Sequence, residues 1–241
     1  IAILWLTRHL LGDSLYAIRF LPALTGAAVV LLAALMTRKL GGGTFAQWLA
    51  SLAVVAAPGL IGHGKFFSMN PFDVFFWALA GYIVLLILSE DRPKLWILFG
   101  GVVGLGLLNK YSIGFMIVGL VAGLLLTKQR KQLATKWFWI GAMVAGALFL
   151  PHVIWQVANN FPSFEFMRNA SQNKNVSLSA FEFFMGQFRD MNFLNASIWL
   201  SGVVFFFLFR DGRYRPLAWM YPVVFIVMIA TNPKVYYLSP T

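Results

Sequence analysis

The chain has no cysteine, which removes disulfide frameworks, thiolate metal sites and cysteine nucleophiles from consideration. Charge is almost as scarce. Only 11% of the 241 residues are charged while 60% are hydrophobic, and the mean hydropathy is +0.76. Too few polar side chains remain to cover the outside of a water-soluble globule. Disorder is excluded by the same composition, because 24 Phe, 9 Trp and 7 Tyr in an apolar background is the reverse of a chain unable to collapse. The sequence reads as an integral, multi-pass membrane protein. Acids are the scarcest charges, 8 against 19 Lys and Arg, for a net +11. Nucleic acid is not expected as a partner, since the basic residues fall at the ends of apolar runs rather than on one aromatic-studded face. The front of the chain lacks the charged head, short apolar middle and small-residue cleavage site of a secretory signal. It opens at Ile1 rather than Met and closes without a final helix or basic tail, so residues 1–241 are expected to be a fragment forming a single transmembrane domain.

What is present is a series of eight apolar runs, at 20–37, 45–61, 71–88, 95–108, 111–127, 137–155, 193–209 and 216–230. Each is long enough, or nearly so, to cross a hydrocarbon core that takes about 20 helical residues. Helices are the economical choice, because lipid offers no partner to open backbone groups. The expected fold class is all-α, a polytopic membrane helix bundle of about eight spans. The run 95–108 is short and rich in glycine (Gly100, Gly101, Gly104, Gly106), which suits a helix packed closely inside the bundle. Clustered cations set the orientation: Arg38 and Lys39, Arg92 and Lys94, Lys128 to Lys136, and Arg210 to Arg215 are expected on the cytoplasmic side. The dispersed cations and most of the acids then lie outside. Residues 1–19 are expected to form an outer interfacial segment. Residues 156–192, the only long connection, read as an outer amphipathic loop whose many phenylalanines suit the headgroup level.

No run carries an ionisable residue in its middle, which disfavours transport. The outer ends of the helices instead carry His63, Lys65, Asn70, Asp73, Lys110, Tyr111, His152, Gln156, Lys234, Tyr236 and Tyr237. Asn70-Pro71-Phe72-Asp73 reads as a helix start, with Asn70 as cap, proline at the first position and an acid in the first turn; a functional role is compatible with that structural one. Lys110 joins two spans with almost no loop. Snorkelling would explain it, but a role in binding is the favoured reading. Lys65 and His63 read first as interfacial, and His152, beside Pro151, as a hydrogen-bonded packing residue. Lys234, Tyr236 and Tyr237 follow Asn232-Pro233, which ends the last span, and hold a cation and two phenols where a lipid phosphate would find charge and donors. Lys110 is the second cation of that donor-phosphate assignment.

Five stretches then fall in a recognisable order. They are Gly12-Asp13-Ser14-Leu15-Tyr16-Ala17-Ile18-Arg19-Phe20-Leu21-Pro22-Ala23, Phe67-Ser68-Met69-Asn70-Pro71-Phe72, Gly104-Leu105-Gly106-Leu107-Leu108-Asn109-Lys110-Tyr111, Leu150-Pro151-His152-Val153-Ile154-Trp155-Gln156 leading to Phe161-Pro162-Ser163-Phe164-Glu165-Phe166, and Lys234-Val235-Tyr236-Tyr237-Leu238-Ser239-Pro240. Together they resemble the family 39 glycosyltransferases, the polyprenyl-phosphate-sugar-dependent enzymes that include protein O-mannosyltransferases and the lipid A aminoarabinose transferase. The resemblance implies a C-type glycosyltransferase (GT-C) fold in the bacterial inner membrane, with its cavity facing the periplasm or exterior. It implies sugar transfer with inversion from a polyprenyl-phosphate donor, among membrane lipid, to a glycan, lipid or protein acceptor. The general base of the family is an acid of the first outer loop, expected upstream of Ile1, with Asp73 the candidate inside this chain. Arg19, His63, Lys65, Asn70, His152, Gln156 and Glu165 are the expected cavity residues. Two departures stand out: many relatives have an acid where this chain has Asn70 with Asp73 three residues on, and often Asn where His152 stands. No organic cofactor is expected. A divalent metal is allowed for, though no spacing of Asp, Glu and His fits a metal motif. A transporter or lipid flippase, or a non-catalytic membrane scaffold, are the competing readings.

Overall fold

The computed structural model describes residues 2–173, 179–209 and 212–231, and among these it contains helices and turns but no strand. Helix α1 (Ala2–Leu11) is amphipathic and is clasped to the following turn by an Arg8–Asp13 ion pair. Ser14 caps α2 (Leu15–Lys39), its hydroxyl accepting from the Ala17 amide at 3.1 Å. Helices α3 (Thr44–Val55) and α4 (Pro58–Gly64) meet at a 64° bend. Pro58 has no amide to continue the ladder, so the bend follows from the sequence. Next come α5 (Met69–Glu90), α6 (Leu95–Asn109) and α7 (Ile113–Leu125), which turns by 116° into a 3₁₀ segment, Lys128–Ala134. Helix α8 (Lys136–Ala158) is followed by α9 (Pro162–Asn173) and α10 (Ala180–Met191). A 98° break through Phe193–Asn195 leads into α11 (Ala196–Leu208), and α12 (Arg215–Thr231) closes the described chain.

Every apolar run is helical, but eight full crossings are not established. Only α2, α5 and α8 are long and apolar enough to span alone, or up to six spans if each of the three bent pairs counts as one. Helix α6, with 15 residues, and α12, with 17, fall short of the length that about 30 Å of hydrocarbon requires. The connection 156–192, expected as an amphipathic loop, holds helices α9 and α10 among its described residues.

The centre of the bundle is α5, α6 and α7, flanked by α8 and α12. Trp77, Ile83, Leu85, Trp96, Ile113, Met116, Leu120 and Met228 are completely buried there. In the most apolar stretch of α5, 44% of residues are buried, against 11% in α2 and in α8, whose outer faces are left for lipid. Glycine sets the closest approaches. A Cβ on Gly100 would overlap the carbonyl of Gly141, one on Gly141 would overlap that of Trp96, and one on Gly104 would sit 2.9 Å from Leu148. Thus α6 and α8 run parallel with their backbones nearly touching, the arrangement that small residues permit in lipid. Gly119 and Gly123 do the same for α7 against Met220 and Pro216 of α12.

One local expectation is corrected. Asn70 is not the cap of α5: Ser68, in an extended conformation (φ −142°, ψ 177°), starts the helix and accepts from the Asn70 amide at 3.3 Å. Asp73 lies beyond the first turn, with its carboxylate directed to another element instead of the helix amides.

Candidate functional site

The start of α5, the α6–α7 turn and the last turns of α8 meet at one end of the bundle. Asn70 and Asp73 are three residues apart and so share a face of α5. Both point at Lys110, whose ammonium donates to Asn70 Oδ1 at 3.1 Å and to Asp73 Oδ2 at 3.0 Å. Lys110 ends α6 in an extended conformation (φ −160°, ψ 136°), and Asn109 holds the turn by donating to the Met69 carbonyl at 2.9 Å. Ser112 donates to the second carboxylate oxygen, Asp73 Oδ1, at 2.5 Å. The Lys110 side chain is 11% exposed and that of Asp73 only 4%. Such a pair is withdrawn from water, where loss of either partner is far more costly than at a surface.

Tyr111, between Lys110 and Ser112 in sequence, bonds to α8 instead of α5. Its hydroxyl lies 2.5 Å from His152 Nε2 on α8, and the rings of Tyr111, Phe149 and Trp155 surround the imidazole at centroid distances of 5.7, 5.2 and 6.1 Å. Buried Gln156, one turn on, sets its amide nitrogen 3.2 Å from the Tyr111 hydroxyl and 3.1 Å from His152 Nε2, and also donates to Ser163. With two hydrogens, that amide serves two of its three neighbours at a time. Its carbonyl oxygen accepts from the Ser163 amide at 3.2 Å, and the Gln156 backbone carbonyl accepts from the Phe161 amide at 2.7 Å. These bonds fix a turn in which Asn160 and Phe161 both have left-handed backbones (φ 58° and 56°), a conformation a bulky residue adopts only when its surroundings enforce it.

His63, on α4, is within electrostatic reach of Lys110 and Asp73. It also lines a cavity of about 470 Å³ between α2, α3, α4 and α5, whose other walls are apolar side chains such as Val29, Val55, Leu60 and Val74. Polar cluster and apolar cavity therefore adjoin through α4 and the start of α5.

Of the residues expected at a site, the structure brings together Asn70, Asp73, Lys110, Tyr111, His152 and Gln156, with His63 nearby. Arg19, Lys65 and Glu165 are exposed, and no bond ties them to the cluster among the described residues. Lys234, Tyr236 and Tyr237 lie outside the described residues. Ser112, Asn109 and Ser163 are participants that sequence reasoning missed. Ser112 is the most informative, since it follows Lys110-Tyr111 directly, yet a lone serine has no spacing signature. Among the described residues, no group of three or more His, Asp or Glu could hold a metal ion.

With this geometry in hand, the similarities of the chain are informative. The family model for dolichyl-phosphate-mannose-protein mannosyltransferases matches residues 1–155, a stretch that takes in α1 to α7 and most of α8, including His152. A lipid A galacturonosyltransferase of Rhizobium johnstonii is 25% identical over 231 residues, 93% of this chain. The chain spans 48% of the length of that relative. No solved structure matches it.

Proposed function

Because the chain belongs to the dolichyl-phosphate-mannose-protein mannosyltransferase family, we propose that it forms part of a membrane glycosyltransferase that moves a sugar from a polyprenyl-phosphate donor to a glycan, lipid or protein acceptor. The site is assigned to the non-cytoplasmic face, on the strength of the basic residues gathered at the other end of the bundle. The observation that carries the reading is the juxtaposition of a withdrawn, oriented ammonium, Lys110, with an apolar cavity of about 470 Å³ reached past His63. A phosphate on an apolar tail asks for that pairing of charge and grease.

Departure of a lipid phosphate from the anomeric carbon builds negative charge on the leaving oxygen. A cation already aimed at that place lowers the barrier, because it is stronger toward the transition state than toward the substrate. Asn70 and Asp73 orient Lys110 for this role. Lys234, Tyr236 and Tyr237 are proposed to complete the phosphate site. Asp73 is poorly suited to be the general base, since Lys110 and Ser112 engage its two oxygens. An acid outside the described residues is assigned the deprotonation of an acceptor hydroxyl. A phosphate acceptor, already ionised, would not need that step. The Tyr111–His152–Gln156 cluster, ringed by aromatic groups, is assigned to the sugar or acceptor side.

The test uses the intact protein in vesicles with isotopically labelled polyprenyl-phosphate sugar and extracted acceptors. Lys110→Ala is expected to lower kcat/KM about 100-fold, the usual loss on deleting a preorganised charge-stabilising group. Unchanged turnover and donor KM in that variant would remove Lys110 from the reaction. Movement of lipid across the bilayer without sugar transfer would replace the transferase reading by a flippase.

A further inference from the structure

From residue 92 to residue 164 the sequence has no acid, yet it carries Arg92, Lys94, Lys110, Lys128, Arg130, Lys131 and Lys136. Lys110 aside, all of these lie at the end of the bundle away from Asp73, separated from it by the length of α6, roughly 22 Å at 1.5 Å per residue. The acids nearest in sequence offer little compensation. Glu90 is engaged by Lys39 and by Arg92, the latter at 2.8 Å, and exposed Asp91 makes no ion pair among the described residues.

The cations there are held, not loose. Because α6 and α8 start side by side, Lys94 and Lys136, 42 positions apart in the chain, converge on one indole: their ammoniums lie 5.6 and 5.1 Å from the centroid of the Trp137 ring. Both lysines are exposed, and neither has a carboxylate partner among the described residues. The 3₁₀ segment Lys128–Ala134 is pinned beside them. Gln132 is buried and accepts from Trp96 Nε1 at 3.2 Å, and the Leu133 carbonyl accepts from Trp139 Nε1 at 2.9 Å. Leu133 packs on the core, while Lys128, Arg130 and Lys131 face outward. Two lysines thus share one indole, three more cations lie on the adjoining 3₁₀ segment, and none of the five makes an ion pair among the described residues. Bringing like charges together without an anion is unfavourable, so the anion is expected from outside the chain. Tryptophan and lysine together mark the depth of lipid headgroups.

We propose that Lys94, Trp137 and Lys136, extended by Lys128, Arg130 and Lys131, form a binding site for the phosphodiester headgroup of an anionic phospholipid in the leaflet opposite the Asp73–Lys110 cluster. The ammoniums donate to the phosphate oxygens, and the indole lies against the glycerol and upper acyl region. The site is independent of the transferase reading, since it shares no residue with it.

The full chain is purified from vesicles of phosphatidylcholine alone or mixed with phosphatidylglycerol, and retained lipid is counted by native mass spectrometry. Lys94→Gln/Lys136→Gln should retain less phosphatidylglycerol, by roughly fivefold for each lysine removed. Lys94→Arg/Lys136→Arg, and Arg168→Gln at the far end, should retain it as the wild type does, and inorganic phosphate should not displace it. Unchanged retention in the glutamine variant, equal retention of phosphatidylcholine, or an equal loss in Arg168→Gln would overturn the site. Displacement by inorganic phosphate would overturn the lipid in favour of a free anion. Elution and melting in phosphatidylcholine check the fold; if the double variant fails there, the two single glutamine variants carry the same comparison.

Discussion

The Asp73 side chain is only 4% exposed, and its two oxygens are engaged by Lys110 and Ser112. Lys110→Met should therefore destabilise the protein by about 3 kcal/mol or more, since it strands a buried charge. Asp73→Asn added to Lys110→Met should recover most of that loss, because no charge is then left to compensate. Thermal unfolding of both single variants and the double variant in one detergent checks this, and additive losses would mean that the two residues do not act as a pair. Arg8 and Asp13 make the contrasting case, exposed and in front of the first long helix. The hydrogen bond and charge of Arg8 hold the Asp13 carboxyl below the usual carboxylate range. A lowered folded value means that the clasp contributes fully above the ordinary carboxyl value and is lost as pH falls through the lowered one. A carbon-detected titration of Asp13 should show the depressed midpoint, and Arg8→Gln should return it to the ordinary range. Sequence reasoning reached Asn70, Asp73, Lys110, His152 and Gln156 as polar groups at helix ends. It could not say who pairs with whom, because partners such as Asp73 and Ser112, 39 positions apart, meet only through packing.

At the scale of elements, the glycine-rich run 95–108 was legible as a helix packed inside, and the structure gives the reason in contacts a Cβ would block. Gly100 and Gly101 are neighbours in sequence with opposite environments: a Cβ on Gly100 would overlap the Gly141 backbone, whereas one on Gly101 meets nothing within 4 Å. Gly100→Ala is expected to cost on the order of 1–3 kcal/mol as α6 and α8 are forced apart. Gly101→Ala should be neutral or slightly stabilising, since alanine favours the helix. Comparable melting losses in the two variants would refute the packing account. Helix bends were less legible. The run 45–61 reads as one span although Pro58 stands at the α3–α4 bend, and no proline marks the 98° break before α11. There Asn192 and Asn195 donate to the Ala56 and Ala53 carbonyls of the α3–α4 segment at 3.3 and 2.8 Å, so one discontinuity is bonded to the other. Periodicity finds apolar runs, but it is blind to a bend that is stabilised from another part of the chain.

For the whole molecule, the decisive property is the segregation of charge between the two ends. One end carries Lys39, Arg92, Lys94, Lys128, Arg130, Lys131 and Lys136, with Glu90 tied into an ion-pair cluster. The other carries the Asp73–Lys110 pair and, separately bonded, His152 with Tyr111, beside an apolar cavity. Basic ends are retained on the cytoplasmic side, so the cluster and cavity should open to the opposite face. Because the chain has no cysteine, each introduced thiol reports from a single position. Lys65→Cys, near the end that bears His63, should react in intact cells with a maleimide that cannot cross the membrane. Arg130→Cys, in the exposed part of the 3₁₀ segment, should react only after the membrane is opened. The reverse pattern would turn the bundle over and take the transfer reaction away from the outer face, whereas equal labelling of both in intact cells would mean that residues 65 and 130 do not lie on opposite sides of a membrane. Either result would leave the Lys110–Asp73 geometry intact and remove the argument that it meets an extracytoplasmic donor.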